Sequence, residues 1–312
     1  MAGCVRVFLN PKSGRGGCEA EAVEALFAKL GCACSISELA PGLNIQALHA
    51  DEPTHVAFIA AGGDGTVHSV AQVVAGSERA MGVLPVGTLN HFAKDIGMPQ
   101  ELEAAIEVIA AGHTRQVDAA EVNGQVFVNN SSLGVYPSIV VDRERMKLRG
   151  WNKWVSLVMA SARQFIRMRK LRVSVVVDGE CRRLKTPFLF VGNNDYTMEG
   201  FEAGSRAAVD RGTLSLYMAP GISRLGLLRF GVAAILGRLE RMDEFTHLTV
   251  TDFKVETGRR RRKLRAALDG ELKLMSPPLL YRSLPGSLRV LVPAPKDETS
   301  VLPTGQSTPE AH

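Results

Sequence analysis

The sequence is short of long apolar runs. No uninterrupted stretch reaches the roughly 18 residues that a membrane-spanning helix needs. The most apolar segment, Leu225 to Leu239, is broken by Arg229, Gly231 and Arg238. The opening Met1-Ala2-Gly3-Cys4-Val5-Arg6 lacks the charged start and apolar stretch of a signal peptide. Five cysteines, an odd number without CxxC spacing, argue against a disulfide framework or a zinc site. Cys32-Ala33-Cys34 reads as a half-buried strand in a reducing compartment, with a soft-metal pair as the alternative. The seven histidines, His68 and His91 among them, are scattered without ligand spacing. There is no GxxxxGK[ST], which excludes a P-loop enzyme. No strand–GxGxxG–helix with a downstream acid supports a dinucleotide dehydrogenase.

What is present is an ordinary globular composition, 46% hydrophobic and 22% charged, over 312 residues. That excludes global disorder and fibrous repeats and suggests about two domains. The charge is uneven. Residues 1–118 carry seven basic and thirteen acidic residues; residues 143–185 carry thirteen basic and three acidic. Residues 259–312 hold ten basic against five acidic. Such a sign change points to one region facing an anionic surface, unless it is simply a solvated face. With no recognisable nucleic-acid motif, no nucleic-acid partner is expected.

The first third alternates strand and helix. Val5 to Leu9, Val56 to Ala61 and Met81 to Leu84 read as strands; Glu19 to Leu30, Val67 to Ala75 and Gln100 to Ala111 read as helices. That rhythm predicts a mainly parallel sheet covered by helices over residues 1–118. Beyond it, Asn123-Gly124 marks a hairpin, and Val173 to Val177, Asp178-Gly179 and Phe188 to Val191 read as a second. Thr249 to Glu256 and Arg265 to Leu274 read as a third, joined by the basic turn. Residues 119–293 therefore read as an antiparallel β-sandwich with inserted helices, whose last segment could return to the first domain. The Pro-, Ser-, Thr- and Glu-rich tail, 294–312, reads as disordered.

Three polar loops end strands of the predicted sheet: Asn10 to Gly17, Gly62-Gly63-Asp64-Gly65-Thr66, and Gly87-Thr88-Leu89-Asn90. Ligands of open α/β sheets bind beyond the carboxyl ends of the strands. Glycines let the backbone approach an anion, and a helix start offers free N–H groups to it. Asp64 can meet a metal or water that accompanies phosphate. Glycine turns between strand and helix also arise for steric reasons alone.

Asn10-Pro11-x-Ser13-Gly14, Gly62-Gly63-Asp64-Gly65-Thr66, Pro85-x-Gly87-Thr88-x-Asn90-x-Phe92-Ala93 and Leu268-Asp269-Gly270-Glu271 occur in that order. Together they resemble the diacylglycerol kinase catalytic family, and within it the soluble bacterial lipid kinases, which include diacylglycerol, phosphatidylglycerol and YegS-like kinases. The resemblance covers about residues 5–293; the glycine loop alone is shared with NAD kinases and phosphofructokinases. It implies a nucleotide-binding α/β domain, a β-sandwich domain and an active site between them, with ATP and Mg²⁺. It gives Gly62, Gly63, Asp64, Gly65, Thr66, Gly87, Thr88, Asn90 and Asn10 to ATP, with Ser37 a looser match. It makes Asp269 the general base, with Glu271 beside it; read from spacing alone, the same residues are a plain Asp-Gly turn. An acceptor for a hydroxyl proton is what attack on a γ-phosphate requires.

Two positions depart from the family pattern. His91 follows Asn90 where relatives usually carry Asp, which leaves Asp95 as an open substitute. Arg211 stands where relatives tend to have the second Asp of Asp-Asp-Gly, so a structural Mg²⁺ site is altered or lost and Asp210 alone is a weak ligand.

Trp151, Trp154, Val155, Val158, Met159, Ala162, Phe165 and Ile166 share one face of a basic helix. That face either meets a bilayer interface or packs on the sandwich core. Gly258 to Lys263, with Arg260 and Arg261, is a concentrated positive turn that either meets lipid headgroups or is solvated. The expectation is an ATP-dependent lipid kinase, cytoplasmic and peripheral to the inner membrane face, acting on diacylglycerol or a related lipid. Its partners are a lipid substrate and an anionic membrane surface; a homodimer stays open. The alternatives are another acceptor (phosphatidylglycerol, a sphingoid base, NAD) or a non-catalytic nucleotide-binding membrane regulator.

Overall fold

The structure is a computed structural model that describes residues 4–14, 19–40, 43–134, 170–177, 179–196, 206, 208–220, 226, 246–257 and 263–295. The first third holds β1 (Cys4–Leu9), α1 (Ala20–Lys29), β2 (Ala33–Glu38), α2 (Ile45–Asp51), β3 (Ala57–Ala61), α3 (Asp64–Val74), β4 (Ala80–Leu84), α4 (His91–Asp95) and α5 (Leu102–Ala111). Then come β5 (Thr114–Val122), β6 (Gln125–Phe127), β7 (Asn130–Gly134), β8 (Leu171–Val177), β9 (Glu180–Thr186) and β10 (Phe188–Asn193). The chain continues through β11 (Leu214–Met218), β12 (Thr246–Val250), β13 (Asp252–Thr257), β14 (Leu264–Leu268), β15 (Glu271–Met275) and β16 (Leu279–Leu291).

The N-terminal lobe is α/β, with strands in the order β2-β1-β3-β4, all parallel. β3, Ala57 to Ala61, is buried along its whole length, as a parallel strand covered on both faces should be. Val23 and Phe27 of α1 and Ile106 and Ile109 of α5 are fully buried in the same core, where Phe8 meets Phe58 edge-on at 4.9 Å. The C-terminal lobe is an antiparallel sandwich. One layer is β12-β11-β10-β7-β14-β15; the other is formed by β5, β6, β16, β13, β8 and β9. Leu189, Leu216 and Leu268 of the first layer pack with Val175, Val255 and Tyr281 of the second. Stacked Phe253 and Tyr281, 4.6 Å apart, fill the centre.

β16 joins the lobes. Its first half pairs antiparallel with β13, while Arg289 and Val290 pair parallel with Ala80 and Met81 of β4. Between Leu284 and Leu288 its register against β5 shifts. Gly286 takes φ +58° in that bulge, and its freed N–H goes to the carboxylate of Asp118 at 2.8 Å. Asp118 also accepts from Gly212 N (2.6 Å) and Asn194 Nδ2 (3.1 Å), tying the bulge to the turn before β11.

The Asn123-Gly124 hairpin forms as expected, with φ of +50° and +76° at the turn. Three details differ from the sequence expectations. α3 starts at Asp64, so the glycine motif is itself the helix start, with Gly63 as N-cap. Thr249–Glu256 and Arg265–Leu274 do not form one hairpin. β13 pairs with β8 and β16 in one sheet, and β14 pairs with β15 and β7 in the other. β9, the sequence ECRRLKT, is a further strand that pairs with β8 in place of the expected Phe188 to Val191; it is polar because it is a sheet edge. The tryptophan helix with Trp151 and Trp154, the basic turn with Arg260 and Arg261, the tail beyond residue 295 and, but for Gly226, the second apolar helix lie outside the described residues. Among the described residues no helix is long and apolar enough to cross a membrane.

Candidate active site

The three polar loops meet at the carboxyl ends of β1, β3 and β4. Asn10 follows β1 and donates its N–H to Ala61 O, while its Oδ1 accepts from Lys12 N at 3.1 Å. Gly14 takes φ +79°, and a Cβ there would press on the Val86 carbonyl, so the first loop lies against the third. A Cβ on Gly87 would collide with the Gly63 backbone and stand 2.6 Å from Asn90 Oδ1, so the second and third loops touch as well. Asn90, left-handed at φ +52°, closes its own loop through Nδ2 to Pro85 O (2.7 Å) and Gly87 O (3.2 Å). Thr66 is buried and folds back over Gly62, whereas Thr88 is exposed. The start of α3 is thus surrounded by the backbone of the other two loops, a setting that suits an anion.

Against the start of α3 lies the turn between β14 and β15. Asp269 (φ +48°) and Gly270 (φ +89°) form it, a two-residue turn with both central residues left-handed. Asp269 N donates to Asn130 O at 2.8 Å, which pulls the turn onto the strand before it. The Asp269 carboxylate is fully covered and holds four partners. Oδ1 accepts from Asn129 N (2.7 Å) and Asn130 N (3.0 Å). Oδ2 accepts from Val128 N (2.9 Å) and faces His68 Nδ1 at 3.0 Å. Glu271 is exposed instead; its Oε1 stands 3.0 Å from where a Cβ on Gly65 would lie. Asp64 is half-buried, and its Oδ1 lies 3.5 Å from Asn129 Nδ2 and 3.4 Å from Phe92 N.

The structure therefore brings Asn10, Gly62 to Thr66, Gly87 to Asn90, Asp269 and Glu271 together where the start of α3 meets the turn between β14 and β15. Ser37 sits at the end of β2, opposite Phe8, where its hydroxyl takes a bond from Arg6 at 3.3 Å. Asp210 is exposed in the turn before β11. Asp95 is committed: its carboxylate pairs with the buried Arg206 guanidinium at 2.7 Å. Arg206 also donates to Val128 O (2.6 Å), Asn193 O (3.2 Å) and Asn129 Oδ1 (3.1 Å). It thereby fixes the strand whose amides serve Asp269. Burial pushes the nearby Tyr196 phenol up to about 12, so it stays neutral.

Sequence reasoning did not single out His68, Asn129 or Arg206 for this site. Only His68 carried a local signal: it lies one helical turn beyond Asp64 and Gly65, on the face of α3 that meets the sandwich. Gln72, a further turn on, extends that contact by accepting from Val126 N at 2.8 Å.

Residues 4–122 match the family model of the diacylglycerol kinase catalytic domain, and residues 132–292 match that of the YegS C-terminal NAD kinase beta sandwich-like domain. The chain belongs to the diacylglycerol kinase and YegS-like family. Diacylglycerol kinases of Staphylococcus aureus strains RF122 / ET3-1 and MRSA252 are 27% identical to it over 203 residues, 63% of this chain. That match spans 64% of the length of each of these relatives. A diacylglycerol kinase structure from Bacillus anthracis str. Sterne aligns with a TM-score of 0.65 at 19% identity, over 93% of this chain and 97% of that one. A further structure from the same strain reaches a TM-score of 0.70 at 20% identity over the same shares. At that identity the likeness is one of fold.

Proposed function

We propose that this family member is an ATP-dependent lipid kinase that transfers the γ-phosphate to the hydroxyl of diacylglycerol or a related lipid. The observation that carries this reading is the meeting of the two motifs. The glycine-rich start of α3 meets the Asp269-Gly270-Glu271 turn, with Glu271 over Gly65 and His68 on Asp269. Phosphoryl transfer needs little more than positioning, charge neutralisation and a proton acceptor. The α3 amides and the Gly87-Thr88 loop are suited to the phosphates, with Asn10, Ser37 and Asn90 around the nucleotide.

Mg²⁺ fits this site as a companion of phosphate. Among the described residues no cluster of three or more ligating side chains could hold an ion by itself. Mg²⁺ in kinases takes one or two carboxylates and completes its shell with phosphate and water. Asp64 and Glu271 flank Gly65 and are the carboxylates suited to it. When bound, the ion neutralises charge developing on the phosphates. We assign Asp269 as the acceptor of the hydroxyl proton. The basic composition of stretches 143–185 and 258–263 suits an anionic membrane surface.

Purified protein incubated with labelled ATP, Mg²⁺ and a panel of lipids in mixed micelles tests the reading. Label in diacylglycerol is the expected outcome, and label in another lipid reassigns the acceptor. Asp269→Asn is expected to lower transfer at least about 10²-fold, the usual contribution of a general base, with ATP binding retained. Nucleotide binding without transfer to any lipid would leave a regulator.

A further inference from the structure

Asp269 cannot accept a proton as it stands. A carboxylate offers about four lone-pair positions, and four partners fill them. Three are amides of residues 128, 129 and 130, and these are held from behind. Val128 O takes bonds from Asn193 Nδ2 (3.0 Å) and Arg206 (2.6 Å), and the Asn129 side chain takes another from Arg206 (3.1 Å). An oxygen that gains a proton keeps one lone pair, so Oδ2 can hold the Val128 amide but must give up its second donor. The fourth partner differs in kind. Imidazole Nδ1 donates in one tautomer and accepts in the other.

Resting on the kinase reading above, we infer that His68 is the positioning residue that lets Asp269 change protonation state. Facing the carboxylate, its Nδ1 carries the hydrogen and holds Oδ2 in place. During transfer the lipid O–H bond breaks and its proton goes to Oδ2. The lipid oxygen bonds to the γ-phosphorus, and the bond from phosphorus to the bridging oxygen breaks with its electron pair leaving on ADP. The Nδ1–H···Oδ2 bond is released at that moment as the imidazole turns away with its own hydrogen still on Nδ1. The proton then returns to solvent. His68 is well placed for this because it is buried, its Nδ1 meets Asp269, and α3 is pinned to the sandwich by Gln72 one turn later.

The test is a comparison of three variants in the lipid transfer assay. Asn places an amide near the position of Nδ1 and can donate or, after a flip, accept. Gln carries the same group one methylene farther out, and Leu carries neither function. H68N is expected to keep most of the turnover. H68L and H68Q are expected to lose about 10²-fold in kcat, the scale of an ångström-level misplacement, with KM for ATP unchanged. Thermal melting checks that each variant is folded; should H68L not fold, H68N against H68Q decides. Full kcat in H68L or H68Q, or an H68N as slow as H68Q, would overturn the inference while the kinase reading stands. A wild-type protein that labels no lipid would overturn the kinase reading and the inference with it.

Discussion

Among the described residues two arginines are buried, and they do opposite things with the same five N–H groups. Arg79 works inside the N-terminal lobe. It donates to His49 Nδ1 (3.2 Å) and to the carbonyls of His49 (3.1 Å), Glu52 (2.8 Å), Pro53 (2.7 Å) and Val56 (2.7 Å), and lies 4.3 Å above the Phe58 ring. Its partners are the carbonyls left over where α2 ends and the chain turns into β3, so it caps a local stretch of chain. Arg206 works between the lobes. It spends Nε on a carboxylate, Asp95, and the rest on Val128 and Asn129, in the segment that feeds Asp269, and on Asn193 at the end of β10. Arg79 makes five such bonds and Arg206 four, so their number says little about role; the reach of the contacts does. Arg79 serves residues within 30 positions of itself, whereas Arg206 gathers residues up to 111 positions away.

The sharpest way to break that contrast is Arg206→Met. It leaves the Asp95 carboxylate buried without its partner, which costs about 3–5 kcal/mol when a buried pair is halved. Urea unfolding should show that loss, and adding Asp95→Asn should recover much of it, because no uncompensated charge then remains. Lipid transfer should fall in the single variant even where it is folded, since residues 128 to 130 lose their backing. An Arg206→Met protein within about 1 kcal/mol of wild type would mean that water reaches Asp95 and the pair is not sealed.

The same division between local and long-range order decides what could be read before the structure. The parallel half was legible because each step is local: a fully apolar β3, a glycine turn, an amphipathic α3. The Asn123-Gly124 turn was legible because two left-handed positions demand that pair. β9 was not, because an edge strand needs no alternation; its order comes from the ladder with β8, not from its own residues. The pairing of β13 was misread because an alternating strand says which face it buries and not which neighbour it takes. At the site, the glycine loops and the Asp269 turn were visible as motifs. The contact between His68 and Asp269 spans 201 positions and Arg206 reaches Asp95 across 111, and no spacing rule relates residues so far apart.

Arg79→Lys should have a smaller effect, and one confined to stability. Lysine keeps the charge but has three donors on a single atom and cannot serve five acceptors in a plane. About 2 kcal/mol is expected from the carbonyls left unpaired, read by urea unfolding, with the rate of lipid transfer at 25 °C unchanged in the folded protein. A loss of transfer that exceeded the loss of folded fraction would show that the α2–β3 corner communicates with the site, and the separation of the two arginines would fail.

The smallest effect expected is a pH dependence that arises at His49, beside Arg79. Desolvation, and after it the Arg79 charge, hold the His49 imidazole below its ordinary value. Its Nδ1 accepts from the Arg79 Nε–H, so a proton there would set donor against donor. Unfolded chains protonate this histidine near the ordinary value of about 6.5, while the folded protein does so only at lower pH. Between the two the unfolded state binds more protons, and stability falls as pH drops through that window. His49→Asn keeps an acceptor oxygen for Arg79 and removes the titration. The difference in thermal stability between wild type and H49N should therefore move against the wild type on going from pH 7.5 to pH 5.5. A difference that stays constant over that range would mean that the imidazole titrates equally in both states and that Arg79 does not depend on its lone pair.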